Sequence, residues 1–267
     1  MKRLIPLLAL VPAFVFPLAA ASEEFKLDSA PIDVRDVASL QSGARTFVNY
    51  CLSCHSASMM RYNRLEGLGL AEPQIRDNLL FTTDKVGELM SVAMVKKDAK
   101  EWFGVAPPDL SVIARSRGAD WLYTYLRTFY RDPKTVSGWN NLAFPNVAMP
   151  HVLWTLSGQS VLDEREFKTE HEAEAAKLQS RAYSVIEESD EGAEKRYVLK
   201  TTKLVTAGTL TPLEYDAVVR DLVNFLVWMS EPNQTFRKQV GIVVTLVLLV
   251  LLVLTYLLYK EFWKDVH

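Results

Sequence analysis

Only two cysteines and four histidines occur in the 267 residues. Two cysteines exclude the multi-disulfide framework on which small exported domains rely, so stability has to come from a packed core. They also exclude a closed structural zinc site, because no second C-x-x-C and no paired histidines exist to complete four ligands. An excess of one charge is missing as well. The 30 Lys and Arg against 32 Asp and Glu leave a formal charge of −2, which speaks against a nucleic-acid binder or an extreme electrostatic surface. Internal repeats and low-complexity tracts are absent. What is present is enough chain for one sizeable domain and a long apolar run near each end.

The first run, Leu4 to Leu18, follows Lys2 and Arg3 and precedes Ala19-Ala20-Ala21. These are the three parts of a secretory signal. Pro6, Pro12 and Pro17 argue against a retained membrane helix, and the run is short for a span. Residues 1–21 are therefore expected to be a signal peptide. The second run, Val240 to Tyr259, carries no charge. At about 1.5 Å per residue it extends about 30 Å, the thickness of a hydrocarbon core. Tyr256, Tyr259 and Trp263 stand toward one end, as interfacial aromatics do. One transmembrane helix is expected at 240–259, with 22–239 exported as a single domain and 260–267 left as a cytoplasmic tail.

Both cysteines fall in Cys51-Leu52-Ser53-Cys54-His55, the C-x-x-C-H signature of covalent haem c attachment. Cysteines three apart lie on one face of a helical turn, where both thiols can add to the two vinyl groups of one porphyrin. His55, next in sequence, is then placed to bind the iron. A thioredoxin-like redox pair is the rival reading, and no βαβ pattern surrounds this motif. A sixth ligand is sought in the stretch Trp139 to His151, which is apolar and broken by prolines and asparagines. Met149 is preferred to His151 there, because a soft thioether is the usual partner in electron-transfer haems. His171 lies in a charged run and His267 is the last residue, so neither competes. Met90 and Met94 read as core on a helical stripe.

Around these residues the periodicity predicts a mainly α fold with irregular loops. Val37, Leu40, Ala44, Phe47, Val48 and Cys51 recur at helical spacing over 36–51, and Gly43 inside that helix points to close packing against a second helix. Met59 to Tyr62 is read as lying against the cofactor's edge or as ordinary core. Another helix is predicted over Asp84 to Lys97. Pro107-Pro108-Asp109 reads as a stiff lead into a short helix, with Asp109 as N-cap and Gly118 just past its end. Asp120 is predicted to cap the next helix, which runs with Trp121, Leu122, Tyr125, Leu126 and Phe129 inward until Asp132-Pro133. Arg115 and Arg117 close the shorter helix, as dipole partners or as partners of a carboxylate. Residues 160–210 form a charged insertion, with an exposed helix over Glu170 to Gln179 and a β-hairpin arm over Arg196 to Val205. It reads as a solvated surface or as an acidic docking face. Thr211-Pro212-Leu213-Glu214 is a capping box. The helix it opens, with Leu213, Ala217, Leu222, Phe225, Leu226 and Trp228 available for burial, would close the domain against the first helix.

Taken together, the chain resembles the cytochrome c1 family, the haem c subunits of quinol–cytochrome c oxidoreductase (the bc1 complex). The resemblance rests on Cys51-x-x-Cys54-His55-Ser56 followed by Arg61-Tyr62-Asn63-Arg64-Leu65, on Pro107-Pro108-Asp109-Leu110-Ser111, on Ala148-Met149-Pro150, and on Asp221 to Pro232 leading to a C-terminal span. It implies a cytochrome c-like haem domain with one C-terminal transmembrane helix. It implies one haem c held through Cys51 and Cys54, with His55 and Met149 as axial ligands. Arg117 would bond a haem propionate, and Trp121 would stand beside the haem where the family often has tyrosine. The implied role is electron transfer from the Rieske iron–sulfur protein to a cytochrome c, next to cytochrome b in a dimeric multisubunit complex of a bacterial inner membrane, with the haem domain in the periplasm. No bond chemistry is expected of the chain itself. Two other classes stand beside this one: a free-standing membrane-anchored cytochrome c donating to a terminal oxidase, and a haem enzyme such as a peroxidase, which needs an open iron position.

Overall fold

The computed structural model describes residues 27–265 apart from 93, 181, 182, 192 and 193. The expected signal peptide, 1–21, and His267 lie outside the described residues.

Asp36 opens α1 (Val37–Thr46) by accepting the Ser39 amide on its carboxylate. Past Thr46 the helix changes pitch. Phe47–Cys51 is a π-turn, closed by the Leu52 amide on the Phe47 carbonyl. The additional residue in such a turn re-aims the side chains that follow, and π-turns recur at functional sites for that reason.

β1 (Ala57–Arg61) comes next, then a 3-10 stretch over Tyr62–Leu68 and α2 (Glu72–Asn78). The helix predicted over Asp84 to Lys97 does not form. β2 (Leu89–Met90) pairs antiparallel with β1, and the helix in this region, α3 (Lys96–Phe103), begins later. The physical reason is competition for backbone groups. The carbonyls of Val86 and Glu88 accept the amides of Asn63 and Tyr62 across the chain, so they are not available along a helix. Met90 is fully buried, as a core residue should be, and Met60 and Tyr62 also join the core while Met59 points to solvent.

α4 (Ile113–Arg117) and α5 (Ala119–Arg127) meet at Gly118, whose φ of +88° ends one helix and starts the other. Two predicted caps do other work. Asp109 takes the Ser111 amide in a short Asx turn and binds Ser58 with its other oxygen. Asp120 sits within the first turn of α5 and accepts the Ala30 amide. α5 also stops earlier than predicted, at Arg127, because Phe129 and Tyr130 are taken into strand β3 (Phe129–Arg131). β3 pairs antiparallel with β4 (Trp139–Asn141), so the stretch expected to lack regular structure opens on a buried strand.

After α6 (Trp154–Ser157) comes the charged region, which folds into regular elements. β5 (Gly158–Phe167), α7 (Glu170–Gln179), β6 (Ser184–Glu191) and β7 (Glu194–Ala207) follow in turn. The five-stranded sheet runs β4-β3-β5-β7-β6, with β7 paired along β5 on one side and β6 on the other. The hairpin arm expected over 196–205 lies in β7, which pairs antiparallel with the preceding β6 and, on its other edge, with β5. Its charges pair across strands: Lys200 meets Glu164 and Glu187, and Arg196 meets Glu166. Leu199 of β7 and Ala173 of α7 are fully buried.

The capping box at Thr211 and Glu214 opens α8 (Pro212–Ser230). Leu213, read as available for burial, is exposed in that first turn, whereas Leu222, Phe225, Leu226 and Trp228 are buried. α8 lies along α1, with Phe225 and Phe47 rings 5.6 Å apart. Ser39 donates to the Asp221 carboxylate at 2.7 Å within the same contact. Last comes α9 (Gln234–Phe262), 29 residues with none buried. It is long and apolar enough to cross a membrane.

Candidate functional site

The π-turn delivers Cys51 to the start of a second tight turn. The amides of Cys54 and His55 both bond to the Cys51 carbonyl, at 3.1 and 2.8 Å. One turn therefore carries both thiols and the imidazole. Cys51 is buried, Cys54 is half-buried, and both are free thiols. Burial, with the neighbouring Cys54 adding to it, pushes the Cys51 thiol up to about 12, so it is protonated at neutral pH.

His55 is oriented from a distance of 53 residues along the chain. Its Nδ1 stands 2.8 Å from the Pro108 carbonyl. A carbonyl only accepts, so Nδ1 carries the hydrogen and Nε2 keeps its lone pair. This is how metal-binding imidazoles are set in their tautomer and direction. Burial lowers the His55 pKa against the opposing effects of the Pro108 carbonyl and Asp109, which keeps the ring neutral at pH 7. The Pro108 carbonyl is itself braced. Asp109 Oδ2 accepts the Ser58 amide and hydroxyl at 2.8 and 2.6 Å, and the Leu110 amide bonds to the Ser56 carbonyl at 2.8 Å. Sequence reasoning treated Pro107 to Ser111 as a lead into a helix and missed this clamp, because no local spacing links Pro108 to His55.

A second group surrounds Met149. Two asparagines shape its loop. Asn141 Oδ1 accepts the amides of Ala143 and Phe144, at 2.9 and 3.0 Å, while its Nδ2 donates to the Tyr125 carbonyl at 2.7 Å. Asn140 Oδ1 accepts the Asn146 amide at 2.8 Å, and Asn146 takes the left-handed conformation, φ +60°, that asparagine tolerates. Met149 emerges half-buried, its Sδ 3.4 Å from the Tyr125 hydroxyl, which donates to it. Trp121 stacks on Tyr125 at 4.8 Å with Phe144 edge-on at 6.2 Å. The Arg117 guanidinium lies over the Trp121 ring at 5.1 Å and has no ion-pair partner among the described residues.

His151 takes no part in this group. It is 4% exposed, stacks on Phe129 at 4.7 Å, and its Nε2 is bonded to the Ser157 hydroxyl at 2.8 Å. Burial pushes its pKa down to about 3. A ring nitrogen already committed to a serine inside the core makes a poor ligand, which favours Met149.

The Cys51 turn and the Met149 group border one hydrophobic cluster, in which Cys51, Leu52, Leu122 and Tyr125 are buried and Trp121 and Met149 are partly covered. Two thiols and a neutral imidazole on one turn, a thioether packed against the same cluster, and a guanidinium over Trp121 are a donor set that suits haem c. Among the described residues, no three His, Cys, Asp or Glu side chains are gathered to hold a bare metal ion.

Comparison with known sequences agrees with this chemistry. The Cytochrome C1 family matches over residues 28–178 and 199–266. The unmatched segment, 179–198, covers β6 and the start of β7, a narrower departure than the whole 160–210 region. A protein of Nitrosomonas europaea named ammonia monooxygenase gamma subunit is 47% identical over 94% of both chains. The cytochrome c1 of Allochromatium vinosum is 46% identical over the full length of both, and that of Rhodospirillum rubrum is 24% identical over 86% of this chain and 83% of its own.

Proposed function

The chain belongs to the Cytochrome C1 family, and from that premise we propose that it takes single electrons from a Rieske iron–sulfur protein and hands them to a cytochrome c, beside cytochrome b in a dimeric bc1-type complex. The family implies a covalently bound haem c, which when bound supplies a one-electron iron couple. Cys51 and Cys54 anchor it from one turn. His55, with Nδ1 tied to Pro108, would offer Nε2 to the iron, and Met149 would offer its sulfur. With His55 and Met149 both bound, the iron would have no open position, which favours electron transfer over oxygen chemistry and speaks against a peroxidase. Arg117 pairs with a propionate, and Trp121 packs at the haem's flank. The domain 22–239 faces the periplasm after loss of the 1–21 signal, 240–259 crosses the inner membrane, and 260–267 stays in the cytoplasm.

The observation that carries this reading is the His55 Nδ1 to Pro108 bond, which leaves Nε2 as the free donor beside both thiols. A free-standing carrier feeding an oxidase is not favoured, because the family match extends from the haem motif through the anchor. The test is a reduced-minus-oxidised visible spectrum of the detergent-extracted, affinity-purified protein. A c-type α-band together with b-type absorbance supports the complex. A c-type band alone, in a detergent that retains cytochrome b in known complexes, would move the protein to the free-standing class. Absence of any haem band overturns the proposal.

A further inference from the structure

Tyr125 spends its hydroxyl in an unusual way. Its ring is pinned on both sides, by Trp121 stacked at 4.8 Å and by Phe129 edge-on at 5.0 Å. Its carbonyl is held by Asn141, the residue that also organises the loop leading to Met149. Neither ring nor backbone is free to turn. The hydroxyl of this buried residue has one hydrogen-bond partner among the described residues, the Met149 sulfur at 3.4 Å. A buried phenol ordinarily reaches an oxygen acceptor, and a thioether is a weak one. Tyr215 shows the ordinary arrangement, donating to the Leu126 carbonyl at 2.7 Å.

We infer that Tyr125 is a positioning residue for the Met149 sulfur: its O–H occupies one sulfur lone pair, directs the other toward the iron, and draws electron density from the sulfur. The inference rests on Met149 being an axial ligand. A thioether has two lone pairs, so a donor fixed on one side leaves a single direction for a metal bond. Partners that hydrogen-bond a ligand set both its direction and its donor strength. A sulfur that gives less density supports ferric iron less than ferrous iron, which holds the couple at a higher potential than the bare thioether would. Because α5 carries Trp121 and Tyr125 on successive turns, the residue that flanks the cofactor and the residue that tunes its ligand are set by one helix.

The test uses the full-length, haem-loaded protein in detergent. Tyr125→Phe keeps the stacking and removes only the O–H, and Met149→Leu is run beside it. The readouts are the midpoint potential, the near-infrared charge-transfer band of methionine-ligated ferric haem, and the thermal midpoint. For Tyr125→Phe we expect a lower potential and a displaced but still present band, with a thermal midpoint close to wild type. Met149→Leu should lose the band. If Tyr125→Phe leaves both potential and band at their wild-type positions while Met149→Leu abolishes the band, Tyr125 does not tune the sulfur and the ligand assignment survives. A raised potential in Tyr125→Phe also overturns the inference. If Met149→Leu keeps the band, Met149 is not the ligand and both readings fall together.

Discussion

Gly43 on α1 faces the backbone of Asp221 on α8 with no room for a side chain between them. A Cβ at Gly43 would collide with the Asp221 carbonyl oxygen and stand 2.7 Å from the Phe225 Cβ. The first helix, whose extension bears Cys51, is thereby seated directly on the helix that leads to the apolar α9. The same crossing holds Ser39 against Asp221, and Asn224 donates to Ser39 at 3.0 Å.

Gly43→Ala should therefore destabilise the fold although alanine is the better helix former. Propensity returns about 1 kcal/mol, while forcing two packed helices apart costs about 1–3 kcal/mol and more where backbone is struck. Thermal unfolding followed by circular dichroism should show a clearly lower midpoint. An unchanged midpoint would mean that α1 and α8 are not in this contact.

Asn141→Ala should be costly as well, by about 2–4 kcal/mol, since removing a buried side chain that serves several partners strands each of them. It accepts from Ala143, Phe144 and Thr128 and donates to Tyr125. Loss of the methionine-ligated ferric band on warming should set in below the wild-type temperature, ahead of global unfolding. Simultaneous loss of both signals at the wild-type temperature would count against a loop held by Asn141.

His151 predicts an acid sensitivity of known sign. Its folded pKa is lowered from 6.5 to about 3 by burial, so the unfolded chain binds the proton more readily. Stability from this residue is complete above about pH 6.5 and falls toward pH 3, by about 1.4 kcal/mol per pH unit. The difference in unfolding free energy between wild type and His151→Phe, measured at pH 7.5, 6 and 5, should move in favour of the variant as pH drops. A difference independent of pH would show that His151 is not buried neutral.

Ending the chain after Asn233 removes α9, which buries none of its residues in the domain. The truncated protein should be exported, take up haem and remain soluble without detergent, with a thermal midpoint within a few degrees of the full chain. Failure to accumulate in haem-loaded form would show that the domain needs its anchor to fold.

Much of this was legible along the chain because the chemistry involved is local. C-x-x-C-H spans one turn. The Thr211 capping box spans one turn too, and α8 begins where it says. The charge-free run reads its length against a bilayer without reference to any neighbour, and α9 extends past it on both sides. Gly43 announced a close helix contact because a glycine inside a helix needs a reason. Three of the misreadings share one cause. Asp109, Asp120 and the 84–97 segment each had a sound local assignment, as cap, cap and helix, and each was claimed by a distant partner: Ser58, Ala30, and the amides of Tyr62 and Asn63.

By itself, then, the sequence determined which groups are available: two thiols and an imidazole on a turn, a methionine in an apolar loop, a capped helix and a span. Tertiary structure alone decided how they are aimed. His55 offers Nε2 because a carbonyl 53 residues away takes Nδ1, His151 is withdrawn because Ser157 and Phe129 enclose it, and the Met149 sulfur is met by a hydroxyl from another element. Hydrogen-bond direction and burial depend on what the rest of the chain brings alongside, and no spacing along the chain encodes that.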